Sequence, residues 1–201
     1  MAEKKDKPVS LITPTGIATF SYVWEPHAFE EGGGKSYSLI LVYSKKKVMK
    51  DKLWIALRSA VGKAAITKFG DKQAKALLSK GKLVLPWRDA EDYEKYGEPF
   101  VEGNIMLKAS TNAKEGALPP GVVGPNAKRM MKQSDFYSGC LARMEVGTWA
   151  YDNSGNKGVK LFLNNVQKLE DGERLSGFRS DPEDVFDAVE GADDEDNSDI
   201  F

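Results

Sequence analysis

Cysteine and histidine are almost missing from this chain of 201 residues, which has one of each, Cys140 and His27. A lone thiol excludes an intramolecular disulfide framework and suits a reducing compartment. His27 lies in a Pro/Gly loop and Cys140 on an apolar strand face. Neither has a triad partner at a recognisable spacing, so the usual nucleophilic catalysts are absent. A phosphate loop is lacking as well: Gly32-Gly33-Gly34-Lys35 has neither the spacing nor the Ser/Thr-led helix that such a cradle needs. The amino-terminal MAEKKDK has no apolar core of a signal peptide, and no run approaches a membrane span. The expectation is a non-enzyme without cofactor, metal or membrane, with a carboxylate-dependent nuclease as the one catalytic class left open.

Positive charge is missing from one end. Ten of the 30 acidic residues lie beyond Ser180, while all 29 Lys and Arg lie before it. The overall charge of −1 therefore hides a body, residues 1–180, that carries +9. A basic body suits a polyanion and an acidic tail suits something else. Domain boundaries follow: a disordered lead over 1–10, a folded domain over 11–180, and an acidic disordered tail over 181–201. The tail is too polar and self-repelling to bury a core. Yet it ends on two large apolar residues after the acidic run, Ile200 and Phe201.

The body alternates like a β protein. Thr15 to Trp24 predicts a first strand, with Phe20, Tyr22 and Trp24 on one face. Ser36 to Tyr43 predicts a second, whose continuous apolar run implies burial on both faces. Leu53, Trp54, Leu57, Ala60, Val61, Ala64 and Ala65 form a helical stripe over 51–69, which makes Trp54 a core residue. Gly70-Asp71 closes that helix and opens a shorter one to Ser79. From Lys45 to Lys82 there are twelve Lys or Arg against two Asp, either a solvated helical face or a phosphate-attracting one. Lys82 to Trp87 predicts a short strand, and Arg88 to Pro99 a solvated loop whose carboxylates match no metal-ligand spacing. Phe100 to Thr111 predicts a strand with a bulge at Gly103. Leu118 to Pro125, rich in Pro and Gly, can be neither helix nor inner strand, and leads to the basic patch Lys128, Arg129, Lys132.

The densest signal is Tyr137 to Leu175, which predicts a β-hairpin. In its first arm Leu141, Arg143, Glu145, Gly147, Trp149 and Tyr151 share one face. Cys140, Ala142, Met144, Val146 and Ala150 share the other, with Thr148 the polar exception. Asp152 to Gly158 is the predicted turn, and Val159 to Lys168 the return arm. Trp149 and Tyr151 either pack in a core or offer unpaired bases a surface to stack on, with Arg143, Lys157 and Lys160 as cations for phosphates.

These residues resemble a known family. Ser138-Gly139 followed by Arg143, Asn153-Ser154-Gly155-Asn156-Lys157-Gly158, Leu163-Asn164-Asn165-Val166-Gln167-Lys168 and Asp171 to Leu175 are similar to the signature block of single-stranded DNA-binding proteins of tailed bacteriophages. Pro86-Trp87-Arg88-Asp89, Gly103 to Thr111 and Pro119 to Val123 fit the same pattern, so the likeness covers residues 9–178. It departs at Trp87-Arg88-Asp89-Ala90, where relatives are expected to read Arg-Asp-Gly-Asp. The resemblance implies a mainly β protein: an oligonucleotide/oligosaccharide-binding (OB) fold, a five-stranded Greek-key barrel with a flanking helix. It implies a protein that coats single strands during phage replication, recombination and repair in the cytoplasm of the infected host. It also implies that Asp193, Asp194, Glu195, Asp196, Asp199, Ile200 and Phe201 dock on replication or recombination partners, and that the tail competes with DNA.

The candidate DNA-binding residues are Trp149 and Tyr151, then Tyr22 and Trp87, as stacking surfaces, with Arg143, Lys157, Lys160, Arg88 and Lys108 for the backbone. A virion assembly or scaffold protein would share the acidic tail but would not need a basic, aromatic body. An RNA partner differs only in contacts to the 2′-hydroxyl, and duplex DNA is a weaker candidate.

Overall fold

Strands that alternate in period two, punctuated by Gly and Pro, here wrap into a closed barrel. The computed structural model describes residues 10–28, 33–114, 118–130 and 132–175, so the acidic run and its terminal Phe201 lie outside the described residues. In chain order come β1 (Leu11–Ile12), β2 (Gly16–His27), β3 (Ser36–Ser44), α1 (Lys45–Val48), α2 (Lys52–Phe69) and α3 (Asp71–Ser79). They are followed by β4 (Leu83–Val84), β5 (Trp87–Asp89), a 3-10 segment over Ala90–Tyr96, β6 (Asn104–Asn112) and β7 (Gly121–Val123). A short 3-10 turn (Gln133–Asp135) then leads to β8 (Leu141–Asn153) and β9 (Asn156–Glu170).

Five of these strands close a ring. β2 pairs with β3, β3 with β6, β6 with β9, β9 with β8, and β8 returns to β2. All contacts are antiparallel except β6 with β9, which meet in parallel at Ala109 and Leu161. In chain order the ring reads first, second, third, fifth, fourth, the Greek-key closure of an OB barrel. Leu39, Leu41, Leu107, Met144, Val146, Leu161 and Leu163 fill its interior, each nearly or wholly buried.

Helix α2 begins where Asp51 accepts a hydrogen bond from the Leu53 N–H at 2.7 Å, and ends at Gly70, whose φ of +81° a side chain would resist. Its stripe of Trp54, Leu57, Val61 and Ala65 is buried, and the helix lies against β8 and β9. Trp54 is fully buried, with its ring 5.6 Å from those of Tyr43 and Trp87.

Several local expectations change in the structure. The single strand over Lys82 to Trp87 is two strands, because Pro86 has no N–H for a ladder. β4 pairs in parallel with β9, and β5 antiparallel with β6. Gly103, at φ +81°, is not a bulge but part of the turn before β6, where its carbonyl accepts from the Lys45 N–H at 2.9 Å. Phe20 and Trp24 do not share a face. The β2–β3 register breaks between Thr19 and Tyr22, and Phe20 takes a positive φ of 45° there. Trp24 therefore packs on the barrel core while Phe20 packs on a separate outer cluster.

That outer cluster explains why β3 is apolar on both sides. Ala90, Tyr93, Phe100 and Phe20 close over the outward faces of Ile40, Val42 and Met106. The loop expected to be merely solvated is thus a cap. Its Glu91, Asp92, Glu94 and Glu98 are exposed, and Asp89 pairs with Lys45 at 2.5 Å.

Candidate nucleic-acid interface

The β8–β9 hairpin positions the site, and its turn is tighter than the run of seven turn-forming residues suggests. The strands stay paired through Asp152 with Lys157 and Asn153 with Asn156, leaving Ser154 and Gly155 as a two-residue loop. Both have positive φ, 51° and 91°, the pattern of a type I′ turn. This register sets Trp149 opposite Lys160, Tyr151 opposite Gly158, and Gly147 opposite Phe162.

Beside the hairpin runs a groove of about 450 Å³, bounded by Leu85 and Pro86, by β6 and by the upper halves of β8 and β9. Five of the expected residues meet there: Arg88, Lys108, Trp149, Tyr151 and Lys160. Trp149 is 54% exposed, too much for a core residue of its size. Among the described residues its close ring neighbour is Phe162, edge-on at 6.0 Å, over which Lys160 places its ammonium at 5.1 Å. Gly158 is required where Tyr151 crosses the strand, since a Cβ there would sit 2.6 Å from the Tyr151 hydroxyl and 2.8 Å from Val84. Lys108 is half-buried, and burial, with the nearby Arg88 second, holds its ammonium below the usual lysine range. Among the described residues, no carboxylate lines this groove, along which Arg88, Lys108 and Lys160 stand.

Four expected residues stand elsewhere. Trp87 neighbours Arg88 on β5, and strand alternation turns it away from the groove and under α2 against Trp54. Tyr22 stacks on His27, with ring centroids 4.4 Å apart and planes 10° from parallel. It borders a second hollow with Phe20, Tyr96 and Phe100. Arg143 donates from Nε to Gln167 Oε1 at 2.9 Å, and Gln167 in turn donates to the carbonyls of Gly124 and Pro125. Lys157 lies at the hairpin tip, paired with Asp152 at 2.5 Å and 5.6 Å from the Phe69 ring.

Sequence reasoning overlooked Asn153, Asn156 and Ser110, which edge the groove, and Phe162, which braces Trp149. Phe162 was legible in principle. A two-residue turn at Ser154-Gly155 would have fixed the register that puts Phe162 beside Trp149's strand.

A Greek-key OB barrel with an exposed tryptophan, a tyrosine and three cations along one groove has the features of an oligonucleotide-binding module. The chain belongs to the family of the Enterobacter phage Enc34 ssDNA-binding protein, whose model matches residues 10–198. A curated relative, putative protein p50 of Acyrthosiphon pisum secondary endosymbiont phage 1, is 25% identical over 183 residues, 88% of this chain and 91% of its own. The solved single-stranded DNA-binding protein of bacteriophage Enc34 in complex with ssDNA superposes with a TM-score of 0.66 at 17% identity. The match covers 83% of this chain and 89% of that one. Gp2.5, a single-stranded DNA-binding protein encoded by bacteriophage T7, gives 0.59 at 16% identity over 93% of this chain and 98% of that one. At such identities these likenesses establish the shared fold.

Proposed function

We propose that this protein binds and coats single-stranded DNA without sequence preference, in phage DNA replication, recombination and repair within the host cytoplasm, and acts by binding alone. The observation that carries this reading is the convergence of Trp149, Tyr151, Arg88, Lys108 and Lys160 on one groove that no carboxylate lines among the described residues. Any base has a face to stack on, each stack being worth roughly 1–3 kcal/mol, so an aromatic groove tolerates every sequence. The cations neutralise phosphates and release condensed counterions, which makes affinity fall with salt. Family membership supports the same reading. The acidic tail with Phe201 recruits replication or recombination proteins and competes with DNA for the basic body.

The test is a titration of intrinsic tryptophan fluorescence with oligo-dT, a duplex of equal length and oligo-rU at two salt concentrations. It is run on the full chain and on a version stopped at Ser180. Strong quenching by oligo-dT, a weaker response to duplex, and tighter binding without the tail are expected. No binding to any of the three would overturn the reading in favour of an assembly protein. In the same assay Lys160→Ala should lower the salt slope by about one unit. Lys157→Ala should change it less, because Asp152 already neutralises that ammonium.

Lys108 predicts a pH dependence. Its charge is present below its lowered pKa and lost as pH rises through it, earlier than for an ordinary lysine. Affinity for oligo-dT should therefore decline on the alkaline side in the wild type and persist in Lys108→Arg, whose guanidinium stays charged. Superimposable pH curves for the two proteins would remove Lys108 from the interface.

A further inference from the structure

The groove does not stop at Trp149. On the far side of that side chain lies a second slot of about 580 Å³, between β8, β9 and the Leu118–Pro120 segment. Trp149 borders both spaces, which makes them neighbours along the hairpin. The slot exists because the outward face of β8 has no side chain at Gly147, two residues from Trp149. A Cβ built there meets no described residue within 4 Å. Opposite Gly147 stands Phe162, and Leu118, 85% exposed, with Pro119 and Pro120 forms the facing wall. Arg129, Thr148 and Asn164 supply the polar edge, and among the described residues no carboxylate lines it.

We propose that this slot is a second nucleobase subsite. The base adjoining the one stacked in the main groove lies over the Gly147 backbone between Phe162 and the proline wall, and Arg129 takes a phosphate at the rim. The inference rests on the single-strand reading above. Three features favour a nucleobase: flat apolar walls, a cationic rim, and continuity with the groove through Trp149. The missing side chain at Gly147 is a width requirement, since a planar ring needs a floor with nothing rising from it.

Filling the floor tests this. Gly147 lacks the positive φ that would penalise a side chain, and although the residue is itself buried, a Cβ there meets no described residue within 4 Å, so Gly147→Leu should fold with an unchanged thermal melt. Binding is measured by anisotropy on a ladder of labelled oligo-dT from about three to about twelve nucleotides, within the site sizes of single OB folds. In the wild type, affinity should climb about tenfold or more as the oligonucleotide grows long enough to enter the slot, the scale of one added stack. Gly147→Leu should bind the shortest oligonucleotides like the wild type and lose that climb. Arg129→Ala, at an exposed position, should reduce the climb and its salt dependence. Wild-type behaviour at every length in both variants would overturn the subsite while leaving the main groove intact. Failure of the wild type to bind any oligo-dT would instead overturn the single-strand reading beneath it.

Discussion

Trp149→Ala should weaken binding to oligo-dT by roughly 1–3 kcal/mol, about fivefold to over a hundredfold, at low and high salt alike. A stacking contribution is not screened by ions, so the loss should be similar at both, unlike the loss on removing a groove cation. The fold should barely notice. Trp149 is 54% exposed and its main internal contact is one edge-on ring, Phe162, worth about 0.5–1.5 kcal/mol at most. Anisotropy of a labelled oligonucleotide reads the affinity without relying on the removed fluorophore, and a thermal melt reads the stability. Trp149→Tyr should recover part of the loss because it keeps a flat ring. Unchanged affinity in folded Trp149→Ala would move the strand's path to the other aromatic surface, the hollow beside Phe20, Tyr22 and Tyr96.

Trp54→Ala should have the opposite profile, costing about 3–5 kcal/mol of stability while the surviving folded fraction still binds. Trp54 has no exposed surface and sits between Tyr43 and Trp87 where α2 meets the barrel, so truncation leaves a cavity that neighbouring rings cannot fill. Its indole N–H is buried with no acceptor among the described residues, a cost the packing must outweigh. Trp54→Phe removes that donor along with some volume and should cost roughly half as much or less. Urea unfolding monitored by circular dichroism separates the two. A loss below about 1 kcal/mol for the alanine variant would mean that α2 contributes little to the barrel's core.

The same contrast shows how the two tryptophans differ in legibility. Trp54 falls on a helical stripe with Leu57 and Val61, and period alone assigns it to the core. Trp149 and Tyr151 fall on a strand face that is mixed in character, and alternation cannot say whether such a face meets solvent or another layer. Arg88 and Trp87 make the point at single-residue scale. They are adjacent in the chain, so a strand must send them to opposite sides, but only β5's pairing with β6 decides which one enters the groove.

Local pattern by itself determined the barrel strands, the α2 stripe with its Asp51 and Gly70 ends, the charge asymmetry and the signature block of the hairpin. These depend on neighbours within a few residues, where backbone periodicity and capping chemistry act. Tertiary structure alone decided the five-strand closure in the order first, second, third, fifth, fourth. It also turned the acidic loop into a cap over β3, and it gathered Arg88, Lys108, Trp149, Tyr151 and Lys160 from four strands into one groove. The reason is physical. Which strands pair, and in what register, is set by burial summed over contacts far apart in sequence, and shifting a strand by one residue exchanges its two faces.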